Sequence, residues 1–316
     1  MKPSAPSPGS TPLSYEQAGV NYDLIDPLKV SAQRAAAATA VNLAGHGFTE
    51  VQASRGESAY VVDVGPFYIA SIVECLGSKA LVAGWQRACH VCKVAWGGGE
   101  TPALAGIVEA GRIDLAASCT GLINPKARLS VGDKLATGDA IVLLASSGIH
   151  ANGLSLARKI SERLPQGYLT PIDDNGTSFG DALLAPTTLY SPVTEALWQA
   201  GITPHYAANI TGHGWRKLLR HPGVFTYRLH SVPAVPAVLQ FMQHHAGQDD
   251  HEAYSTLNMG AGFALFVAAE HAERTVAVAR EQGVEALLAG RVEAGGKQLL
   301  IEPLGLRFGD DALQLR

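Results

Sequence analysis

Apolar and polar positions along the chain follow two periods: short runs suited to strands, and longer stretches with helical spacing. The stretch 31–45 (SAQRAAAATAVNLAG) is alanine-rich, which favours helix, and it meets stops at Gly45 and Gly47. Residues 60–64 (YVVDV) form a β-branched run closed by Gly65 and Pro66, the pattern of a strand entering a loop. Residues 67–76 (FYIASIVECL) fit either a strand or a turn of buried helix, and periodicity at that length does not separate the two. Residues 84–93 (GWQRACHVCK) predict a helix, 94–96 a strand stub before three glycines, and 113–123 (IDLAASCTGLI) an alternating strand.

After the polar, turn-rich stretch 124–139 the pattern changes. Residues 140–145 (AIVLLA) are apolar without a break, as in a strand covered on both faces of its sheet. The loop 146–153 follows, then an amphipathic helix that ends at Pro165. A polar insert, 171–180, precedes a helix over 191–200, and an apolar stretch at 261–268, a helix at 270–282 and a strand at 298–302 close the pattern. Strands alternating with helices in both halves predict an α/β (α+β) architecture. The expected division is a disordered tail (1–13), an N-terminal domain (14–130) and a C-terminal domain (131–316).

Composition narrows the function classes. With 316 residues and 47% hydrophobic content, the chain is long enough to bury about 75% of its unfolded surface without disulfides or structural metals. The formal net charge of -4 leaves no basic excess to hold a nucleic-acid backbone. The longest apolar stretch, near 261–269, is far shorter than the ~20 residues that span a bilayer. The opening MKPSAPSPGSTPLS has four prolines and no apolar segment, unlike a signal peptide. Four cysteines in such a chain are expected as free thiols in a reducing cytosol.

Several glycine-rich loops carry candidate chemistry. Gly97, Gly98 and Gly99 let backbone N–H groups approach an anion, and Glu100 and Thr101 beside them suit a cation and a phosphate; a tight turn with a solvated Glu is the plain alternative. Ser146, Ser147, Gly148, His150, Asn152 and Gly153 lie where a buried strand feeds a helix, a place where anions and substrates bind. His150 has the unperturbed pKa of a general acid or base, while Ser and Asn residues here can equally serve as helix caps. Thr211, Gly212, His213 and Gly214 form another such loop before Arg216, Lys217 and Arg220, either a phosphate cradle or a turn before an exposed amphipathic helix. Asp63 and Lys79 can be the metal and phosphate arms of a nucleotide site, or solvated loop charges. The pair Cys89 and Cys92 is half a zinc site with no second pair, so ordinary buried thiols are expected. His244, His245 and His251, near Asp249 and Asp250, read as a polar surface loop.

Taken in order, SYEQAGVNYD, GGGET, GDAIVLLASSGIHANGLSLARK, LLAPTTLY, NITGHG and EAYSTLNMGAG resemble the phosphoribosylformylglycinamidine cyclo-ligase family, the aminoimidazole ribonucleotide (AIR) synthetases of purine biosynthesis. The resemblance runs from Ser14 to about Glu302. It implies a two-domain PurM-like fold that dimerises through its N-terminal sheets, is cytoplasmic, and acts on a phosphorylated small molecule with ATP and Mg2+. In that family ATP phosphorylates the formyl amide oxygen, the amidine nitrogen closes the ring, and phosphate leaves. Carried over by motif, Asp63, Glu100 and Asp114 would hold metal, and Lys79 with Gly97–Gly99 and Thr101 would contact ATP. Residues 146–153 and 211–214 would hold the substrate, with His150 moving a proton. The chain also departs from the pattern. The family's compact TDGVGTK is split here between Asp63-Val64-Gly65 and Gly77-Ser78-Lys79, and only seventeen residues join Lys79 to Gly97. His213 and Trp215-Arg216-Lys217 stand where LTGGG and Glu-Asn are usual. A relative acting on another small substrate, or a non-catalytic ligand-binding one, is the alternative.

Overall fold

The computed structural model describes residue 13 and residues 22–57, 59–76, 82–95 and 115–309. Contacts divide the chain into two compact units, one of residues 35–129 and one of residues 130–316 with those before 35.

Helix α1 (Tyr22–Ala38) starts before the alanine-rich stretch, then tightens into a 3-10 turn, Ala40–His46. Gly47 ends that turn with φ +73°, a left-handed position natural to glycine. The unit 35–129 is built on an antiparallel meander of β1 (Thr49–Glu50), β2 (Tyr60–Asp63), β3 (Tyr68–Leu76) and β4 (Leu115–Ile123). The ambiguous stretch 67–76 is thus a strand, and it pairs with β4 along its whole length, from Tyr68 against Ile123 to Leu76 against Leu115. Helix α2 (Val82–Val91) follows β3, but Val94 and Ala95 have no regular structure, so the strand expected there is absent. Val61 and Ser54 are buried, and the Ser54 hydroxyl donates to Val51 O while accepting the Val61 N–H.

The other unit is a seven-stranded sheet in the order β11-β10-β7-β9-β5-β8-β6. Its strands are β5 (Ala140–Ala145), β6 (Tyr206–Asn209), β7 (Thr226–Leu229), β8 (Ala261–Val267), β9 (Ala286–Glu293), β10 (Gln298–Ile301) and β11 (Leu306–Phe308). Only β10 and β7 pair in parallel. Central β5 explains the unbroken apolar run. Ile141 and Leu143 enter one core, with α3 (Leu154–Arg163), α4 (Phe179–Leu183) and α6 (Ala237–Ala246), while Ala140, Val142 and Leu144 enter the opposite core, with α5 (Ser191–Gln199) and α8 (Ala272–Glu281). Strand alternation thus sends neighbouring residues into two cores.

Two expectations are corrected here. His244 and His245 close α6 and His251 lies in α7 (Asp250–Thr256), so they belong to two helices rather than to a loop. The segment after Gly214 is a buried 3-10 turn, Gly214–Arg220, not an exposed amphipathic helix: Trp215, Leu218 and Leu219 lie inside the core and Lys217 is buried with them. Leu13 is buried in this unit too, with its N–H on Ala246 O and its carbonyl accepting from Gln248.

Candidate functional site

The loop 146–153 leaves the end of β5 and is fixed on every side. Ser146 Oγ donates to Asn258 Oδ1 at 2.7 Å, Ser147 Oγ to Pro186 O at 2.6 Å, and Asn152 Nδ2 to Thr256 O at 2.6 Å. None of these side chains caps α3. Its N-cap is Gly153 at φ +100°, with no side-chain capping bond, and a Cβ there would meet Leu257 at 2.8 Å. The Ser and Asn residues therefore tie the loop to neighbouring loops instead of closing the helix.

His150 is buried and left-handed (φ 56°). Its Nε2 accepts the Ser147 N–H at 3.0 Å and the Thr188 N–H at 3.4 Å, and lies 3.1 Å from Ser147 Oγ. Two backbone donors aimed at one ring nitrogen make that nitrogen an acceptor and place the ring proton on Nδ1. In this arrangement Nε2 organises loops 146–150 and 186–190 and has no proton to deliver. Tyr190 packs beside the ring, its hydroxyl donates to Ala145 O at 2.8 Å, and burial pushes the phenol well above its ordinary range. Gly262 on β8 completes the packing, since a Cβ there would run into the Tyr190 hydroxyl and lie 2.8 Å from His150 Cε1.

Asn258 is the centre of the arrangement. It is 2% exposed, and its amide uses both ends. Nδ2 donates to Gly148 O at 2.9 Å and Ile149 O at 3.3 Å, while Oδ1 accepts from Ser146 Oγ and from the Gly260 N–H at 3.1 Å. Its own carbonyl accepts the Trp215 indole N–H at 2.7 Å. The 211–220 segment is joined a second time by Arg216 Nε on Ser255 O at 2.9 Å. His213 (φ 69°) and Gly214 (φ 52°) are both left-handed, and Gly214 lies so close to the backbone of Tyr254–Thr256 that any Cβ would collide with it. Loops 146–153, 186–190, 211–216 and 255–260 thus form one hydrogen-bonded cluster. Ser147 and Thr187 are exposed on it, and Ser146, Asn152, Thr188, Thr211 and Gly212 are half-buried. Hydroxyls and loop backbone at a surface of this kind suit a polar or anionic ligand.

The N-terminal candidates fare differently. Asp63 ends β2, and both of its oxygens accept from Lys126, at 2.6 and 2.7 Å, with Oδ1 also taking the Gly65 N–H. The Lys126 ammonium, which also lies 4.7 Å over the Tyr68 ring, holds the Asp63 carboxyl below its usual range. Lys79, Gly97, Gly98, Gly99, Glu100, Thr101 and Asp114 lie outside the described residues. Among the described residues, no group of three or more His, Cys, Asp or Glu side chains is placed to hold a metal ion. Cys89 and Cys92 are half-exposed and Cys119 is exposed, which corrects the expectation of buried thiols. No helix among the described residues is long and apolar enough to cross a membrane.

Comparison with known proteins places these features. The family described as AIR synthase related protein, C-terminal domain, matches residues 136–301, which include the whole loop cluster. The chain belongs to this family. Among relatives of this chain are phosphoribosylformylglycinamidine cyclo-ligases of Methanococcus vannielii (34% identical over 197 residues, 62% of this chain and 55% of the relative) and Nitrosococcus oceani (33% over 231 residues, 72% and 63%). That of Methanothermobacter thermautotrophicus is 34% identical over 222 residues (69% and 63%). The chain therefore spans between about half and two thirds of the length of these relatives. Its fold is like that of T. maritima PurL, solved in complex with FGAR (TM-score 0.52, 13% identity, covering 81% of this chain and 47% of that one) and with ADP (0.51, 12%, 80% and 45%). Asn258, Tyr190 and Gly262 were not candidates on sequence. All three do lie in motifs of the resemblance, Tyr190 in LLAPTTLY and Asn258 and Gly262 in EAYSTLNMGAG, but nothing local marks one amide as the link between loops.

Proposed function

We propose that this protein is an ATP-dependent cyclo-ligase of the phosphoribosylformylglycinamidine type, taking formylglycinamidine ribonucleotide to aminoimidazole ribonucleotide. ATP phosphorylates the formyl amide oxygen, the amidine nitrogen attacks that carbon, and the phosphorylated oxygen leaves as inorganic phosphate. The observation that carries this reading is the loop cluster itself. The segment shared with the family, 136–301, builds four loops locked together by Asn258 and His150, with hydroxyls and backbone groups at the surface. Ser146, Ser147, Gly148, Asn152, Gly153 and residues 211–214 form the proposed cradle for the phosphorylated substrate. In it His150 positions the loop through Nε2, and a role in proton movement falls to Nδ1.

ATP and its magnesium are assigned to the N-terminal segment, with Lys79, residues 97–101 and the carboxylates of Asp63, Glu100 and Asp114. No step is routed through the cation. A cytosolic setting accords with the free cysteines. A homodimer through the N-terminal sheet is supported by β4, which is an edge strand of the described sheet and leaves Leu122 67% exposed.

One observation favours a second reading. Asp63 is already satisfied by Lys126, so a relative that binds the ribonucleotide without turning over ATP is the competing outcome. The test is phosphate release from ATP with and without formylglycinamidine ribonucleotide, beside calorimetry with the magnesium complex of a non-hydrolysable ATP analogue. Substrate-stimulated release is expected, with analogue binding weakened about tenfold or more by Lys79→Ala. Ribonucleotide binding with no analogue binding at millimolar concentration, in folded protein, would install the second reading.

A further inference from the structure

We infer that Asn258 is the positioning residue of this site, setting the conformation of the 146–150 loop and locking it to the 211–220 segment. The inference deepens the proposed function and rests on it for the identity of the ligand, but not for the loop geometry. Four side-chain hydrogen bonds and one to its carbonyl converge on this single buried residue, drawn from three separate stretches of chain. The amide has only one orientation that satisfies them. Its nitrogen must face the Gly148 and Ile149 carbonyls, and its oxygen must face the Ser146 hydroxyl and the Gly260 N–H. Burial makes each lost partner expensive, because water cannot replace it. Trp215, fully buried and anchored to the same residue, carries the constraint to His213 and Gly214. Neither Ser146 nor Asn152 has such reach, since each ties its loop at one point only.

This arrangement makes a chemical prediction that a general packing role does not. In Asn258→Asp the ionised carboxylate keeps the acceptor that Ser146 and Gly260 use, but it sets a second oxygen against the Gly148 and Ile149 carbonyls. Protonation restores one donor and one acceptor and so mimics the amide. Burial favours the neutral form, so the protonated state is reached at moderately acid pH. The other ionisable side chains on the tied segments are His150, His213, Arg216, Lys217, Arg220 and Tyr254. Their titration is present equally in the wild type, which is measured at each pH as the reference.

The experiment is hydrogen exchange by mass spectrometry on the full chain at pH 5.5 and 8.5, for wild type, Asn258→Asp, Asn258→Ala and Ser146→Ala, with circular dichroism as a check of folding. At pH 8.5, Asn258→Asp is expected to lose protection in peptides covering 146–153, and to a smaller degree in 211–220, whose Trp215 bond goes to the main-chain carbonyl that the substitution keeps, and to regain most of it, relative to wild type, at pH 5.5. Asn258→Ala should lose it at both pH values, and Ser146→Ala should lose protection in 146–153 only. Calorimetry with formylglycinamidine ribonucleotide should show binding by Asn258→Asp weakened about thirtyfold at pH 8.5 and largely restored at pH 5.5. Equal loss of protection by Asn258→Asp at both pH values, or full protection in folded Asn258→Ala, would overturn the positioning role. If Asn258→Ala fails to fold, the comparison of Asn258→Asp at the two pH values decides alone. If wild type binds no ribonucleotide, the functional reading fails, while the exchange data still decide the role of Asn258.

Discussion

The described residues of the two units are packed to different densities. In residues 130–309, a central strand sends alternate side chains into two cores, and Ile141, Val142, Leu143 and Leu144 are all fully buried. In residues 35–129, the described part of the sheet buries Val61, while Val41, Val91, Val94 and Leu122 stay exposed. A covered sheet holds its loops in place by its own packing, whereas exposed apolar side chains leave a face that another surface can cover. The loop cluster with its buried Asn258 belongs to the first kind.

The largest expected effect comes from the dense unit. Leu143→Ala empties a fully buried position in the main core and should lower stability by about 2–5 kcal/mol, read as a shift of the urea midpoint with unchanged slope. A loss under about 1 kcal/mol would show that this core yields as readily as the open sheet, and the contrast between the units would fail.

How much of that contrast is legible in the sequence depends on how local its causes are. Strand β5 is legible because its apolar run has turn residues at both ends, and α3 because its apolar spacing is helical and Pro165 follows it. Strand β9 (ALLAGRVE) hides its pattern. A register shift against β5 between Ile141 and Val142 breaks the alternation, and Arg291 and Glu293 pair with each other on the surface. The turn 214–220 looks amphipathic because it carries Arg216, Lys217 and Arg220, yet Arg216 spends its Nε on Ser255 O and Lys217 is buried. The role of Asn258 is set chiefly by Ser146 and Gly148, 112 and 110 residues away, with one local bond from the Gly260 N–H. Distance along the chain, not weakness of the signal, is what put it out of reach.

A middle-sized test addresses the open sheet. Leu122 sits on β4 opposite Ile69 and is two thirds exposed, so Leu122→Asp should change the stability of the isolated fold by less than about 0.5 kcal/mol. If the proposed homodimer covers this sheet, the same substitution places a charge in an apolar interface, and sedimentation should move from dimer to monomer. An unchanged dimer would move the interface elsewhere. A monomeric wild type would leave the sheet to another partner.

The smallest effect is electrostatic and concerns Asp63. Its carboxyl is held below the ordinary range first by the bond from Lys126 and then by the Gly65 N–H. A carboxyl depressed in the folded state contributes stability above its unfolded pKa, and that contribution disappears as pH falls through the folded value. Lys126→Met should therefore bring the Asp63 titration, followed by carboxyl carbon NMR, back up toward the ordinary range, with the Gly65 bond keeping it slightly low. The melting difference between wild type and variant should be small at neutral pH, because the pair is solvent-accessible, and absent in strong acid. A titration that stays depressed without Lys126 would show that the Gly65 N–H, not the ammonium, sets the Asp63 carboxyl. The surface pair would then add nothing to the described sheet, and its contrast with the dense unit would sharpen.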